Sequence, residues 1–275
     1  MRPIRSIPLR SMRNQFQEQT APDGEVASTL RSQPEWAAGV PSAERPCVVH
    51  SLGLVPYQAA WALQRQLVER RKAREIADTV LFLEHPPVIT LGRNARPEHL
   101  LTPAEQLHRL GIELVESDRG GDATFHGPGQ LVGYLILDLR LIRKDVVWYV
   151  RTLEEALIRT AREYGLPAER RSGLAGVWVK QAKVAAIGVH LSRWVTSHGF
   201  ALNLETDLHF FRHIVPCGIA PPCGVTSFRE CLGRSVARSG VEQSLTRHLG
   251  ELFGLTMSEA QPGSRERRER CLPTC

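Results

Sequence analysis

An α+β (mixed α/β) fold is what the sequence predicts, and three observations predict it. Short apolar runs of strand length recur through the middle of the chain, and two of them, 176–180 and 183–191, are joined by a tight turn as antiparallel neighbours are. Helix-length amphipathic segments fall among the strands and at the C-terminal end without strict strand–helix alternation. No repeat of about 20–50 residues is visible. No linker interrupts 46–258, so one domain is expected there, between a disordered extension over 1–45 and a solvated tail over 259–275.

Residues 1–45 carry Gln, Ser, Pro and Arg with little apolar periodicity. The first 17 include four arginines and no acid until Glu18, a faint likeness to an organellar transit peptide. Cys47–Val55 reads as a first strand, and Pro56 opens a helix to about Glu75 with a partial stripe of Trp61, Leu63, Leu67, Val68 and Ile76. Thr79–Leu83 is a compact strand. Glu84-His85-Pro86-Pro87 turns the chain, and Val88–Leu91 returns it. A polar loop over 93–102, a short helix from Pro103 and a strand over Ile112–Glu116 follow. Residues 119–130 are Gly-rich and run into the apolar segment Leu131–Leu139. Asp145 is placed to cap a long helix carrying Val146, Val150, Leu153, Leu157 and Ala161, ended by Gly165 and Pro167. The hairpin follows, then Gly199–Leu204 as strand, one or two helical turns over 207–213, a broken apolar segment at 214–219, and a last helix over Val241–Phe253.

Composition is that of an ordinary globular protein: 42% hydrophobic, 23% charged, without a run of transmembrane length. The net charge is +6 and the pI about 9.2, which suits an acidic partner. No nucleic-acid motif accompanies it. Six cysteines in a long chain without an apolar leader point to free thiols in a reducing cytoplasm rather than a disulfide framework. None has zinc spacing, so no metal is expected.

Arg119-Gly120-Gly121-Asp122-Ala123-Thr124-Phe125-His126-Gly127-Pro128-Gly129-Gln130 holds four glycines and a proline. An ordinary turn needs one or two such residues. Here the backbone can approach a ligand closely, while Arg119, Thr124, His126 and Gln130 supply polar groups. A long Gly-rich turn is the plainer alternative. Lys183 alternates with Ala185, Ile187, Val189 and Leu191, and a lysine desolvated on such a face is a more accessible base. A strand-end lysine with its head in water is the alternative. Cys217, between Pro216 and Gly218, would present its sulfur on a turn as a nucleophile, or else fill space as a small hydrophobe. Cys223, in Pro-Pro-Cys-Gly, competes with it. His126 and His198 stand beside glycines as substrate-orienting or structural groups, and His85 reads as a turn residue.

Taken together, these pieces resemble one family, the lipoyl(octanoyl) transferases, or octanoyl-[acyl-carrier-protein]:protein N-octanoyltransferases. The matching segments are Glu84-His85-Pro86 with Thr90 and Gly92, the Gly-rich stretch, Gly176-Val177-Trp178, Lys183–Val189, His198–Asn203, Ile214–Gly218 and Thr226-Ser227, in family order over about 47–255. The resemblance implies a biotin/lipoate protein ligase-like fold with a central mixed, largely antiparallel sheet and flanking helices. It implies octanoyl transfer from octanoyl-acyl carrier protein to a lysine of lipoyl domains, those of 2-oxoacid dehydrogenase complexes and the glycine cleavage H protein. By the same match Cys217 is the acyl-thioester nucleophile and Lys183 its activator. The acyl substrate is lined by Arg119, Gly120, Gly121, Asp122, Ala123, Thr124, Phe125 and His126, by Ala186, Ile187 and Gly188, and by Gly199, Phe200 and Ala201. A cytoplasmic monomer without cofactor, nucleic acid or membrane contact is the expectation, with backbone amides near Cys217 or the Gly-rich loop as oxyanion donors. An ATP-dependent ligase of the same fold, an amidotransferase between lipoyl proteins, an acyl-protein binding module and a cysteine hydrolase are the alternatives.

Overall fold

The computed structural model describes residues 45–218 and 224–260. Most of the expected extension, the tail beyond 260, and Cys223, Cys271 and Cys275 lie outside the described residues.

Strand β1 (Pro46–Leu54) leads into helix α1 (Tyr57–Lys72), and strands β2 (Asp78–Glu84) and β3 (Val88–Leu91) follow. A one-turn 3-10 segment, Pro97–His99, and α2 (Ala104–Arg109) precede β4 (Glu113–Glu116), β5 (Thr124–His126) and β6 (Gln130–Ile136). The long helix α3 (Val146–Glu163) is followed by β7 (Ala168–Arg171), β8 (Leu174–Val179), β9 (Ala182–Ser192) and β10 (Val195–Asn203). The 3-10 turns Leu208–His213 and Pro216–Gly218, β11 (Gly224–Val225), α4 (Phe228–Leu232), α5 (Arg238–Phe253) and β12 (Thr256–Glu259) complete the described chain.

The main sheet has the order β12-β1-β2-β6-β10-β9-β8-β7, with β11 set against β9. It is mixed: β1 runs parallel to β12 and β2, and the path from β2 to β7 is antiparallel. A smaller sheet has the order β4-β3-β5. Helices cover both faces of the large sheet, which is why β2 and β6 read as unbroken apolar runs. Val80, Phe82, Leu131 and Leu135 pack under α3 and α5. Leu81, Leu83, Val132, Tyr134 and Ile136 point the other way, toward α1. Asp145 caps α3, its carboxylate accepting from Trp148 N at 2.9 Å, as the sequence predicts.

Four expectations need correction. The buried residues of α1 are Tyr57, Ala60, Gln64, Val68 and Arg71; of the expected stripe Val68 is among them, Trp61, Leu63 and Leu67 pack half-buried at its border, and the helix ends before Ile76. Polar residues take the buried face because they have partners there: Gln64 Oε1 accepts from His198 N, and Arg71 pairs with Asp78 at 2.7 Å. The Gly-rich stretch contains β5, paired with β3, instead of being loop throughout. β7 and α4, too short or too charged to show periodicity, also form. His85 is more than a turn residue: it is fully buried, donating from Nδ1 to Val55 O and accepting from Tyr134 OH at Nε2.

Candidate active site

A cavity of about 210 Å³ opens where β9, β10, the Gly-rich stretch and the 216–218 turn meet, and both Lys183 and Cys217 border it. The strand register explains the lysine. Trp178 pairs with Lys183 but Val177 pairs with Ala185, so β9 carries one extra residue at Val184. Such a bulge re-aims the side chains on one side of it. Lys183 therefore shares the cavity with Ala186 and Gly188, while Val184 and Ala185 join the main core. This corrects the simple alternation that sets Lys183 with Ala185, Ile187, Val189 and Leu191. The side chain does not snorkel either: Lys183 is 6% exposed, its Nζ donates to Ala175 O at 2.9 Å and lies 5.1 Å from the centre of the Trp178 ring.

Cys217 is held differently. It is half-buried and has φ 54°, ψ 26°, a left-handed conformation that strains any residue with a Cβ. Gly218 follows with φ 67°. Cys217 N donates to Ala123 O at 2.8 Å and Gly218 N to Val215 O at 3.2 Å, so these two amides are engaged and are not free oxyanion donors. Beside the turn, His99 Nδ1 bonds Asp122 Oδ2 at 2.5 Å. The turn is pressed against this pair: a Cβ on Gly218 would lie 2.9 Å from Asp122 Oδ2. Val215 N donates to the carbonyl of His99, tying the segment to the same corner.

The Gly-rich stretch is stapled by Arg119, whose guanidinium is buried and spent on oxygens. Nε reaches Thr90 Oγ1 at 3.0 Å, Nη2 the carbonyls of Thr90 and Asp122 at 2.5 and 2.7 Å, and Nη1 Gly120 O at 3.1 Å. Gly92 matters here, because a Cβ there would sit 2.7 Å from Arg119 Nη1. His126 donates from Nδ1 to Gln130 Oε1, which can only accept, and its Nε2 faces Thr90 Oγ1. Burial, then the neighbouring His85 and Arg119, hold His126 well below the ordinary histidine pKa, and burial lowers His85 to about 4. Both rings are neutral at pH 7. His198, with φ 55°, is buried and donates from Nε2 to Asp118 at 2.7 Å, a bond that holds the Asp118 carboxyl below its usual range.

Residues 56–250 match the family described as the Lipoyl protein ligase A/B catalytic domain. The chain belongs to this family. Among curated relatives, the octanoyltransferase of Solibacter usitatus is 52% identical over 213 residues, 78% of this chain and 96% of the relative. The octanoyltransferase of Koribacter versatilis is 53% identical over 210 residues, 74% and 83% of the two chains. The chain therefore falls with the octanoyltransferases of the lipoyl protein ligase A/B family. Solved structures agree on the fold at much lower identity. A lipoate-protein ligase A bound with ATP superposes with TM-score 0.64 at 17% identity, covering 83% of this chain and 94% of that one. A bi-partite lipoate protein ligase from Thermoplasma acidophilum gives 0.62 at 17%, covering 83% and 92%.

On this lipoyl ligase frame the cavity gathers most of the residues singled out by sequence. Arg119, Gly121, Asp122, Thr124, His126, Ala186, Ile187, Gly188, Gly199, Phe200 and Ala201 all border it. Gly120, Ala123 and Phe125 do not. Gly120 donates its amide to Val189 O, Ala123 offers its carbonyl to Cys217, and Phe125 stacks on Phe210 at 4.8 Å in a separate small core. Tyr57, Tyr134, Gly173, Leu174 and Ala175 also border the cavity, and no motif in the sequence marks them. His99 is missed too, because its partner Asp122 is 23 residues away. Among the described residues no cluster of His, Cys, Asp or Glu is arranged to hold a metal ion. No described helix is long and apolar enough to cross a membrane.

Proposed function

We propose that the enzyme carries an octanoyl group from octanoyl-acyl carrier protein to a lysine of a lipoyl domain, through a thioester on Cys217. The observation that carries this reading is the placement of Cys217 and Lys183 on the wall of one cavity, in a chain about half identical to octanoyltransferases.

Lys183 takes the proton of the Cys217 thiol, and the sulfur attacks the carbonyl carbon of the donor thioester. The bond to the carrier's sulfur breaks, and that thiolate leaves with the proton from Lys183. One thioester has replaced another, so the step is nearly balanced and the acyl group stays activated. The lysine amine of the lipoyl domain then attacks, Lys183 accepts its proton, and Cys217 leaves as the amide forms. Amide formation drives the sequence, so ATP is not required. Ala186, Gly188 and Ala201 let an acyl chain lie close to the sheet, and burial of each methylene contributes about 0.8 kcal/mol.

The acceptors fitting this chemistry are lipoyl domains of 2-oxoacid dehydrogenase complexes and the glycine cleavage H protein. The net charge of +6 suits an acidic carrier protein, and a reactive thiol suits the reducing cytoplasm. The site uses groups of one chain, so a monomer suffices. Steady-state kinetics without ATP test the reading. Parallel double-reciprocal lines for donor and acceptor are expected of a covalent intermediate, and converging lines would contradict it.

A further inference from the structure

We propose that Glu154 is a positioning residue for Lys183, acting through the single peptide plane between Ala175 and Gly176. The inference rests on the reading of Lys183 as the proton carrier.

Glu154 lies on α3 and is 1% exposed. Its two oxygens do different work. Oε2 accepts from Arg151 Nη1 at 2.9 Å and Arg170 Nε at 3.1 Å, which compensates the buried charge. Oε1 accepts from Gly176 N at 3.0 Å. That N–H and the Ala175 carbonyl belong to one peptide unit. The carbonyl is the group that accepts from Lys183 Nζ at 2.9 Å. A trans peptide is planar, so fixing the direction of its N–H fixes the direction of its C=O. A carboxylate on the N–H also draws electron density toward the carbonyl oxygen, making it a stronger acceptor for the lysine.

Gly176 makes this orientation attainable. Its φ is +118°, and a Cβ there would lie 2.5 Å from Ala185 O and 3.3 Å from Lys183 Cε. The β8–β9 register slip lies immediately beyond, between Val177 and Trp178. The bulge turns Lys183 into the cavity, and the Glu154-held peptide gives its amine a fixed partner there.

The test measures the rate of Cys217 acylation by octanoyl-acyl carrier protein, by rapid quench and mass spectrometry, in wild type, Glu154→Gln, Lys183→Ala and the double variant. Glu154→Gln is expected to slow acylation about tenfold while KM for the donor stays within about twofold. The loss is expected to vanish in the Lys183→Ala background, because residues acting as one unit are not additive. Arg151→Gln, which leaves the bond to Gly176, is expected to acylate within about twofold of wild type. The chain has only four lysines, so [ε-13C]lysine labelling resolves Lys183, and Glu154→Gln is expected to shift its resonance and leave those of Lys72, Lys144 and Lys180 in place. If Glu154→Gln melts below the assay temperature, Glu154→Asp replaces it, keeping the charge but drawing the carboxylate back from Gly176, with the same pattern expected. A wild-type acylation rate in the Glu154 variant, or an equal loss with and without Lys183, overturns the proposal while a slow Lys183→Ala leaves the reading of Lys183 intact. A wild-type rate in Lys183→Ala overturns that reading and the proposal with it.

Discussion

Lys183 and Cys217 face one cavity but are held in opposite ways. The lysine sits inside a sheet, paired across to Trp178 and Val225, with its amine on a carbonyl and over an indole ring. The cysteine sits on a three-residue turn, itself in the left-handed conformation, half-buried and propped by the Ala123 carbonyl and the His99–Asp122 pair. On the proposed mechanism the difference follows from what each would do. A proton carrier would serve both half-reactions from one position, so rigidity helps it. A nucleophile proposed to receive a chain from one protein and yield it to another would have to stand at an opening, and a turn presents it there.

Acid loosens the frame that both arrangements share. His85 holds Tyr134 on the cavity wall, and burial lowers its pKa from 6.5 to about 4. The unfolded chain therefore binds this proton first. The stabilisation is fully present above pH 6.5 and is lost as pH falls to about 4, an effect of about 3 kcal/mol for this one group. Melting temperatures between pH 7 and pH 4 should fall less steeply in His85→Gln than in wild type, and equal slopes would remove His85 from the account.

Breaking the lysine side comes next. Gly176→Ala places a Cβ against Ala185 O at a φ that side chains rarely adopt, and about 2 kcal/mol of stability should go with the acylation rate. On the cysteine side, Gly218→Ala, also at a positive φ, meets the Asp122 carboxylate and the His99 ring rather than backbone. It should reduce stability by about 1 kcal/mol while slowing acylation by a larger factor than that loss implies. Thermal melts beside acylation rates check the pair, and the comparison fails if both variants lose stability and rate in the same proportion. The smallest effect is on donor binding: KM for octanoyl-acyl carrier protein should rise several-fold as salt is raised past about 0.15 M, where the Debye length is about 8 Å. A salt-independent KM would count against charge steering.

Much of the frame is legible in the sequence where local signals agree with tertiary ones. Asp145 before the periodic α3 segment marks its start, and the apolar runs of β2 and β6 are buried on both faces. Legibility fails where contacts between distant residues decide. The buried side of α1 is chosen by Asp78 on the strand that follows and by His198, 134 residues beyond Gln64, and helical periodicity shows neither partner. The direction of Lys183 is set by one extra residue in β9, which a period-two pattern cannot register. Glu154 shows faintly, as a carboxylate three residues before Leu157 and four after Val150 on the apolar face of α3. Its use is invisible until Gly176 is seen beside it.

The central claim is the covalent intermediate on Cys217. Intact-protein mass spectrometry after mixing with octanoyl-acyl carrier protein in the absence of ATP tests it most directly, with wild type and Cys217→Ala run together. One octanoyl adduct, mapped to Cys217, absent from the variant and discharged by a lipoyl-domain acceptor, is the predicted result. Acyl transfer by Cys217→Ala at the wild-type rate, or transfer only when ATP and free octanoate are supplied, would contradict it.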